Sequence, residues 1–122
     1  MSLEMGTEYV LNWAINETDT LAGTSAELVA PVSGYIDDLQ VTVQKAVGTG
    51  GTVKAAIGTT DVVGASVTVE DAATKGTRYS ATATKPSTTR AVSKGDRIQI
   101  IPDAAFATSG AVSGNLIINT AH

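Results

Sequence analysis

Apolar and polar residues alternate along most of the chain with a period of two. The clearest case is Tyr35 to Lys45. Tyr35, Leu39, Val41 and Val43 share one parity, and Asp38, Gln40, Thr42 and Gln44 share the other. Successive side chains of a strand point to opposite faces, so this pattern predicts a half-buried strand with one wet face. Pro31 and Gly34 punctuate the chain just before it. Seven further stretches follow the same rule. In Tyr9–Ile15 the heavier face is Tyr9, Leu11, Trp13 and Ile15, opposite Val10, Asn12 and Ala14. Ala26–Ala30 is a short strand stopped by Pro31. Thr52–Ile57 carries Val53, Ala55 and Ile57 on one face. Val63, Ala65, Val67 and Val69 alternate with Gly64, Ser66, Thr68 and Glu70. Gly58 to Asp61 joins these last two stretches as a hairpin. Arg78–Thr84 has Tyr79, Ala81 and Ala83 in phase. Arg97–Ile101 is the most apolar run and ends at Pro102; Val112–Asn119 closes the domain. Ala91–Val92 leads into the Arg97 strand.

The segments between are turn-forming: Asn16–Ser25, Ala46–Gly51, Glu70–Thr77, Lys85–Thr89, Ser93–Asp96 and Asp103–Gly110. About eight strands at spacings of roughly 8–12 residues predict an all-β fold, a single-domain antiparallel β-sandwich or barrel that is jelly-roll-like. An immunoglobulin-like sandwich fits the same spacing, because strand order leaves no mark on the pattern. The β-domain is expected over residues 9–120, behind a short, polar, flexible N-terminal arm of residues 1–8.

Composition sharpens this picture. The chain has 122 residues, enough for one domain with its own core. It is 43% hydrophobic but contains one Trp, three Tyr and one Phe, so the core is expected to be thin and rich in Val and Ala. Net charge is −4, charged residues are 16%, and the eight basic residues are scattered. Clustered Lys and Arg are what nucleic-acid affinity rests on, so no nucleic-acid partner is expected. So few charges suit a surface partly covered by other subunits. There are no cysteines, which removes disulfides, thiolate metal sites and thiol nucleophiles. No secretory leader and no run of transmembrane length is read, so a membrane partner is not expected and the protein is expected either to be made in a cytoplasm or to have lost its leader.

Candidate chemistry is sparse. Asp37 and Asp38 are adjacent, but neighbours on a strand face opposite ways and do not readily share an ion or a substrate. Asp38 is expected on the wet face and Asp37 at the strand's start. Lys94-Gly95-Asp96 reads as a hairpin turn rather than an adhesion motif. Gly48–Gly51 is followed by no Lys-Ser/Thr pair and no helix, so it is no phosphate cradle. His122, the single histidine, is the last residue, and without a base no Ser or Thr is an activated nucleophile. No catalytic residue, metal site or cofactor is therefore assigned, and Asp103 is the one further carboxylate considered. Trp13, Tyr9, Tyr35 and Tyr79 lie in phase with aliphatic residues, which favours core positions over a sugar-stacking platform. Trp13, Tyr35 and Tyr79 are also candidates for a subunit interface, where aromatics are enriched.

Three stretches carry a resemblance: A-P-V-S-G-Y-I-D-D-L-Q-V-T-V-Q-K at 30–45, G-T-V-K-A-A-I-G-T-T-D-V-V-G-A-S-V-T-V at 51–69, and A-V-S-K-G-D-R-I-Q-I-I at 91–101. In this order they resemble small tailed-phage capsid decoration (cement) or head-fibre proteins with a jelly-roll-like β-sandwich. The resemblance implies a non-enzymatic structural virion protein on the outer capsid surface, binding the phage major capsid protein as a homotrimer at threefold or quasi-threefold positions. It also implies an N-terminal arm that touches the shell, which places Glu4, Met5, Thr7, Glu8 and Tyr9 as capsid-contact candidates. The alternative is a host-surface or carbohydrate-binding module of a phage fibre.

Overall fold

The computed structural model describes residues 8–84, 88–102 and 106–120. Among these residues nine strands build two antiparallel sheets. They are β1 (Glu8–Ile15), β2 (Ala26–Val29), β3 (Gly34–Lys45), β4 (Thr52–Ile57), β5 (Thr60–Thr68), β6 (Arg78–Thr82), β7 (Ala91–Val92), β8 (Arg97–Pro102) and β9 (Ala111–Asn119). The first sheet has the order β1-β9-β3-β6, with β7 also paired to β3; the second has the order β2-β8-β4-β5. The chain thus crosses between sheets repeatedly, and β4 and β5 form the expected hairpin.

The sandwich core lies between the sheets. The first sheet contributes Trp13, Ile15, Ile36, Leu39, Val41, Val43, Val112, Leu116 and Ile118; the second contributes Val53, Ala55, Val62, Ala65, Val67, Ile98 and Ile100. Burying one aliphatic side chain of this kind stabilises the fold by roughly 1.5–3 kcal/mol. With so many small residues, the stabilisation comes from many modest contributions rather than a few large ones.

Two parities differ from the alternation rule, and a bulge explains each. In β3 the buried residues are Ile36, Leu39, Val41 and Val43, so Ile36, not Tyr35, holds the inward position ahead of Leu39. The pairing of β3 with β9 shifts between Ile36 and Asp38. Asp37 is the extra residue, and it reverses the phase upstream of itself. In β5 the inward residues are Val62, Ala65, Val67 and, just beyond the strand, Val69, while Val63 is 50% exposed. Between the pairs Ala56–Asp61 and Lys54–Ser66, β5 holds four residues, Val62 to Ala65, against one on β4, Ala55. Gly64 takes φ +87° in this bulge, a conformation that suits glycine. The bulge also closes one edge of the sandwich. The Val63 carbonyl accepts from Thr84 N–H at 2.8 Å, and Val63 N–H donates to Thr89 Oγ1 at 3.1 Å.

The Asn16–Ser25 connector contains one short helix, α1 (Glu17–Ala22). Asn16 caps it through Oδ1, which accepts Asp19 N–H at 2.8 Å. Its one buried side chain, Thr20, returns a hydrogen bond to the Asn16 carbonyl at 2.7 Å. At the same end of the domain, residues 46–51, 69–77 and 106–110 interlock by backbone bonds: Val47 N–H to Ala73 O, Ala72 N–H to Gly48 O, and Gly48 N–H to Ser109 O. Phe106 is buried there against the backbone of Gly51.

Candidate interaction surface

The outward positions of the first sheet form a continuous face. Strand register aligns them in rungs that cross all four main strands. The central rung is Asn12, Asn115, Gln40 and Ser80. On one side lies the rung Ala14, Ser113, Thr42 and Arg78; on the other lies Val10, Ile117, Asp38 and Thr82. Amides and hydroxyls dominate this surface and bond to one another along and between strands. Gln44 Nε2 donates to Ser113 Oγ at 2.7 Å, Thr82 Oγ1 to Asp38 Oδ1 at 2.9 Å, and Asn115 Nδ2 to Gln40 Oε1 at 3.5 Å. A shallow, open depression of about 430 Å³ lies between the central rung and the Thr42–Arg78 rung. Gln40, Thr42, Arg78, Ser80 and Asn115 line it.

The outer face of the second sheet is different in kind. Its rung Glu27, Gln99, Ala56 and Asp61 sits among ion pairs: Arg97 to Glu27 at 3.1 Å and Lys54 to Asp61 at 3.0 Å. These charges are exposed and screened, so they hold water rather than stability. Of the twelve rung positions on the first sheet's face, by contrast, Asp38 and Arg78 alone are charged, and they stand on rungs either side of the centre.

A second polar group lies where the 3-10 turn Thr88–Arg90 meets β3. The Arg90 side chain is 6% exposed, stacks 4.8 Å above the Tyr35 ring, and places Nη2 3.7 Å from Asp37 Oδ1. Arg90 Nη1 and Trp13 Nε1 are buried with no hydrogen-bond partner among the described residues. A third group ties α1 down. Glu17 accepts from Lys45 Nζ at 2.8 Å and from Gly110 N–H at 3.3 Å. The Lys45 hydrogen bond, with the Gly110 donor adding to it, holds the Glu17 carboxyl below its ordinary value.

The residues singled out from the sequence fall in several places. Trp13 is 5% exposed and belongs to the core. Tyr79 is half-buried on the inner side of β6, and its hydroxyl accepts Glu70 N–H at 3.3 Å. Tyr35 is half-buried on the opposite side from Ile36, under Arg90. These three aromatics are therefore not brought together on one surface. Glu8 and Tyr9 stand in β1, paired with Asn119 and Ile118, and both are exposed. Glu4, Met5, Thr7, Asp103 and His122 lie outside the described residues. Asp38 lies on the outer face, as the alternation implies. Asp37 is not a frayed strand start but a largely enclosed partner of Arg90. Lys94-Gly95-Asp96 forms a turn in which Asp96 Oδ2 accepts Ser93 N–H at 2.9 Å. Among the described residues no group of three or more His, Cys, Asp or Glu could hold a metal ion, and no helix is long and apolar enough to cross a membrane.

Sequence reasoning missed the central rung and Arg90. The available signal was a run of uncharged polar residues at wet-face positions: Asn12, Gln40, Ser80 and Asn115. Comparison with protein-family models, curated proteins and solved structures finds no match.

Proposed function

We propose that this chain is a structural virion protein that decorates and stabilises the outside of a tailed-phage capsid, acting as a symmetric homo-oligomer. In this reading it is made in the host cytoplasm, binds the major capsid protein, and needs no cofactor. One observation supports its oligomeric part beyond the sequence resemblance: the three central rungs of the first sheet's outer face carry two charges, Asp38 and Arg78, whereas the second sheet's outer face is laced with ion pairs. Depletion of charged residues at the centre of a patch is a compositional mark of interfaces. A lattice of repeated modest contacts then supplies avidity without chemistry. The strand order supports the fold part of the reading. β1-β9-β3-β6 opposite β2-β8-β4-β5 is the interleaving that two Greek keys produce in an eight-stranded jelly roll, with the two-residue β7 as an addition.

An exposed Trp13 or Tyr35 would favour the fibre-module reading; Trp13 is in the core and Tyr35 is half-buried under Arg90. The test of the decoration reading is co-sedimentation with capsids assembled from the major capsid protein encoded in the same genome. Saturable binding at a fixed ratio to capsid subunits, with a rise in the shell's disruption temperature, is expected. Failure to co-sediment with both immature and expanded shells would sink the reading.

A further inference from the structure

We infer that the outer face of the first sheet is a contact between two copies of this chain, packed face to face about a twofold axis that runs along the central rung. The inference follows from register. A twofold axis lying along Asn12, Asn115, Gln40 and Ser80 sets each of these residues opposite itself. Each carries both a donor and an acceptor, so each can bond to its own copy. The same rotation exchanges the two flanking rungs. Arg78 of one copy then lies over Thr82 of the other, one strand spacing of about 4.8 Å from Asp38. Asp38 and Thr82 are already joined at 2.9 Å, which holds the carboxylate in place on that side. The two charges of the three rungs thus fall into opposite-sign pairs across the contact, twice per dimer, with Glu8 at the rim of the face. Val10, 54% exposed, and Ile117 come opposite Ala14 and Ser113, a large apolar pair over small residues. The depression lies on the Thr42–Arg78 side of the axis, so the Asp38–Thr82 rung of the second copy is what covers it.

Charge and area argue for a second copy as the occupant. Arg78 and Asp38 meet with opposite sign across the contact, which offsets locally the repulsion between two copies of net charge −4. Four strands about 4.8 Å apart, at about 3.3 Å per residue over eight residues, give a face of about 500 Å² per copy, which suits a weak dimer. The inference does not depend on the capsid reading, and its twofold axis departs from the threefold that the sequence resemblance implies.

The test is multi-angle light scattering and sedimentation of the isolated full chain from about 10 μM to about 1 mM, the range in which a small interface associates. A reversible rise from one-chain to two-chain mass is expected. Gln40→Glu sets two carboxylates against each other on the axis and weakens association at least about tenfold. Arg78→Glu weakens it similarly, and adding Asp38→Arg to Arg78→Glu restores it. A thermal melt of each variant separates loss of contact from loss of fold. Monomer throughout the range, a trimer, or a dimer that none of these substitutions affects would overturn the inference. A dimer that behaves as expected but ignores capsids would leave this contact standing and remove the decoration reading.

Discussion

Gly114 stands opposite Trp13 across the β1–β9 pair, and the Gln40 backbone carbonyl, with the indole beside it, fills the space that a side chain at 114 would take. A Cβ at Gly114 would lie 3.1 Å from Trp13 Cζ2 and 1.8 Å from the Gln40 carbonyl oxygen. The largest core side chain of the first sheet is thus accommodated by the absence of its neighbour. β9 is a central strand, so neither β1 nor β3 can yield without losing register.

Gly114→Ala is therefore expected to destabilise the domain by about 1–3 kcal/mol through overpacking. For a domain of this size that lowers Tm by roughly 5–15 °C. Trp13→Phe in the same background should recover part of the loss, since the smaller ring vacates the indole edge. Thermal melts followed by circular dichroism measure both. An unchanged Tm for Gly114→Ala would show that β3 and β9 can separate there at no cost.

The strands themselves were legible because half-buried antiparallel sheets write their two faces into the sequence. Trp13, Leu39, Val41 and Val43 follow that rule and are buried. Tyr35 and Val63 do not, and both failures have one cause. A bulge inserts residues that keep the chain in the sheet but break the period of two. Ile36 and Leu39, apolar and three apart around Asp37-Asp38, carried that information, as did Gly64 after two valines. The polar outer face of the first sheet left only a faint trace. Asn12, Asn115, Gln40 and Ser80 are unremarkable one by one and become a rung only once the order β1-β9-β3-β6 places them side by side.

The Gly64 bulge can be tested directly. Its φ of +87° disfavours any other residue, and a Cβ there would approach Thr84 N to 2.6 Å. Gly64→Val is expected to break the Val63–Thr84 hydrogen bond and open the edge where β5 meets β6. Hydrogen exchange should show faster exchange of the Thr84 and Val63 amides, with the β1–β9 amides unchanged. Uniform acceleration across both sheets would mean that the edge is not a separable unit.

Arg90 poses the sharper energetic question. It is a cation in a nearly dry site, facing one carboxylate and one aromatic ring. Removing one partner of a buried pair costs more than replacing the pair, because the survivor is left uncompensated. Asp37→Ala is thus expected to destabilise by about 3 kcal/mol or more, and Arg90→Met by less. The double variant should be more stable than Asp37→Ala alone. A double-mutant cycle by urea unfolding gives the coupling; additive losses would mean that Asp37 and Arg90 act independently.

Glu17 makes the acid side of the stability profile predictable in sign. Its folded carboxyl titrates below the ordinary value of 4.5 because Lys45 and the Gly110 amide favour the charged form. A depressed folded pKa contributes stability that is fully present above the unfolded value and is lost as pH falls through the folded one. The anchor between α1, the end of β3 and the start of β9 should therefore weaken on acidification below about pH 4.5 and stay constant through neutrality. Glu17 is solvent-exposed, so the change is small and salt-sensitive. Comparing wild type with Glu17→Gln isolates it. The Tm difference between the two should be largest near pH 6 and close to zero near pH 2.5, well below the ordinary carboxylate range. A difference that grows on acidification would reverse the assigned sign and place the role of Glu17 in packing rather than charge.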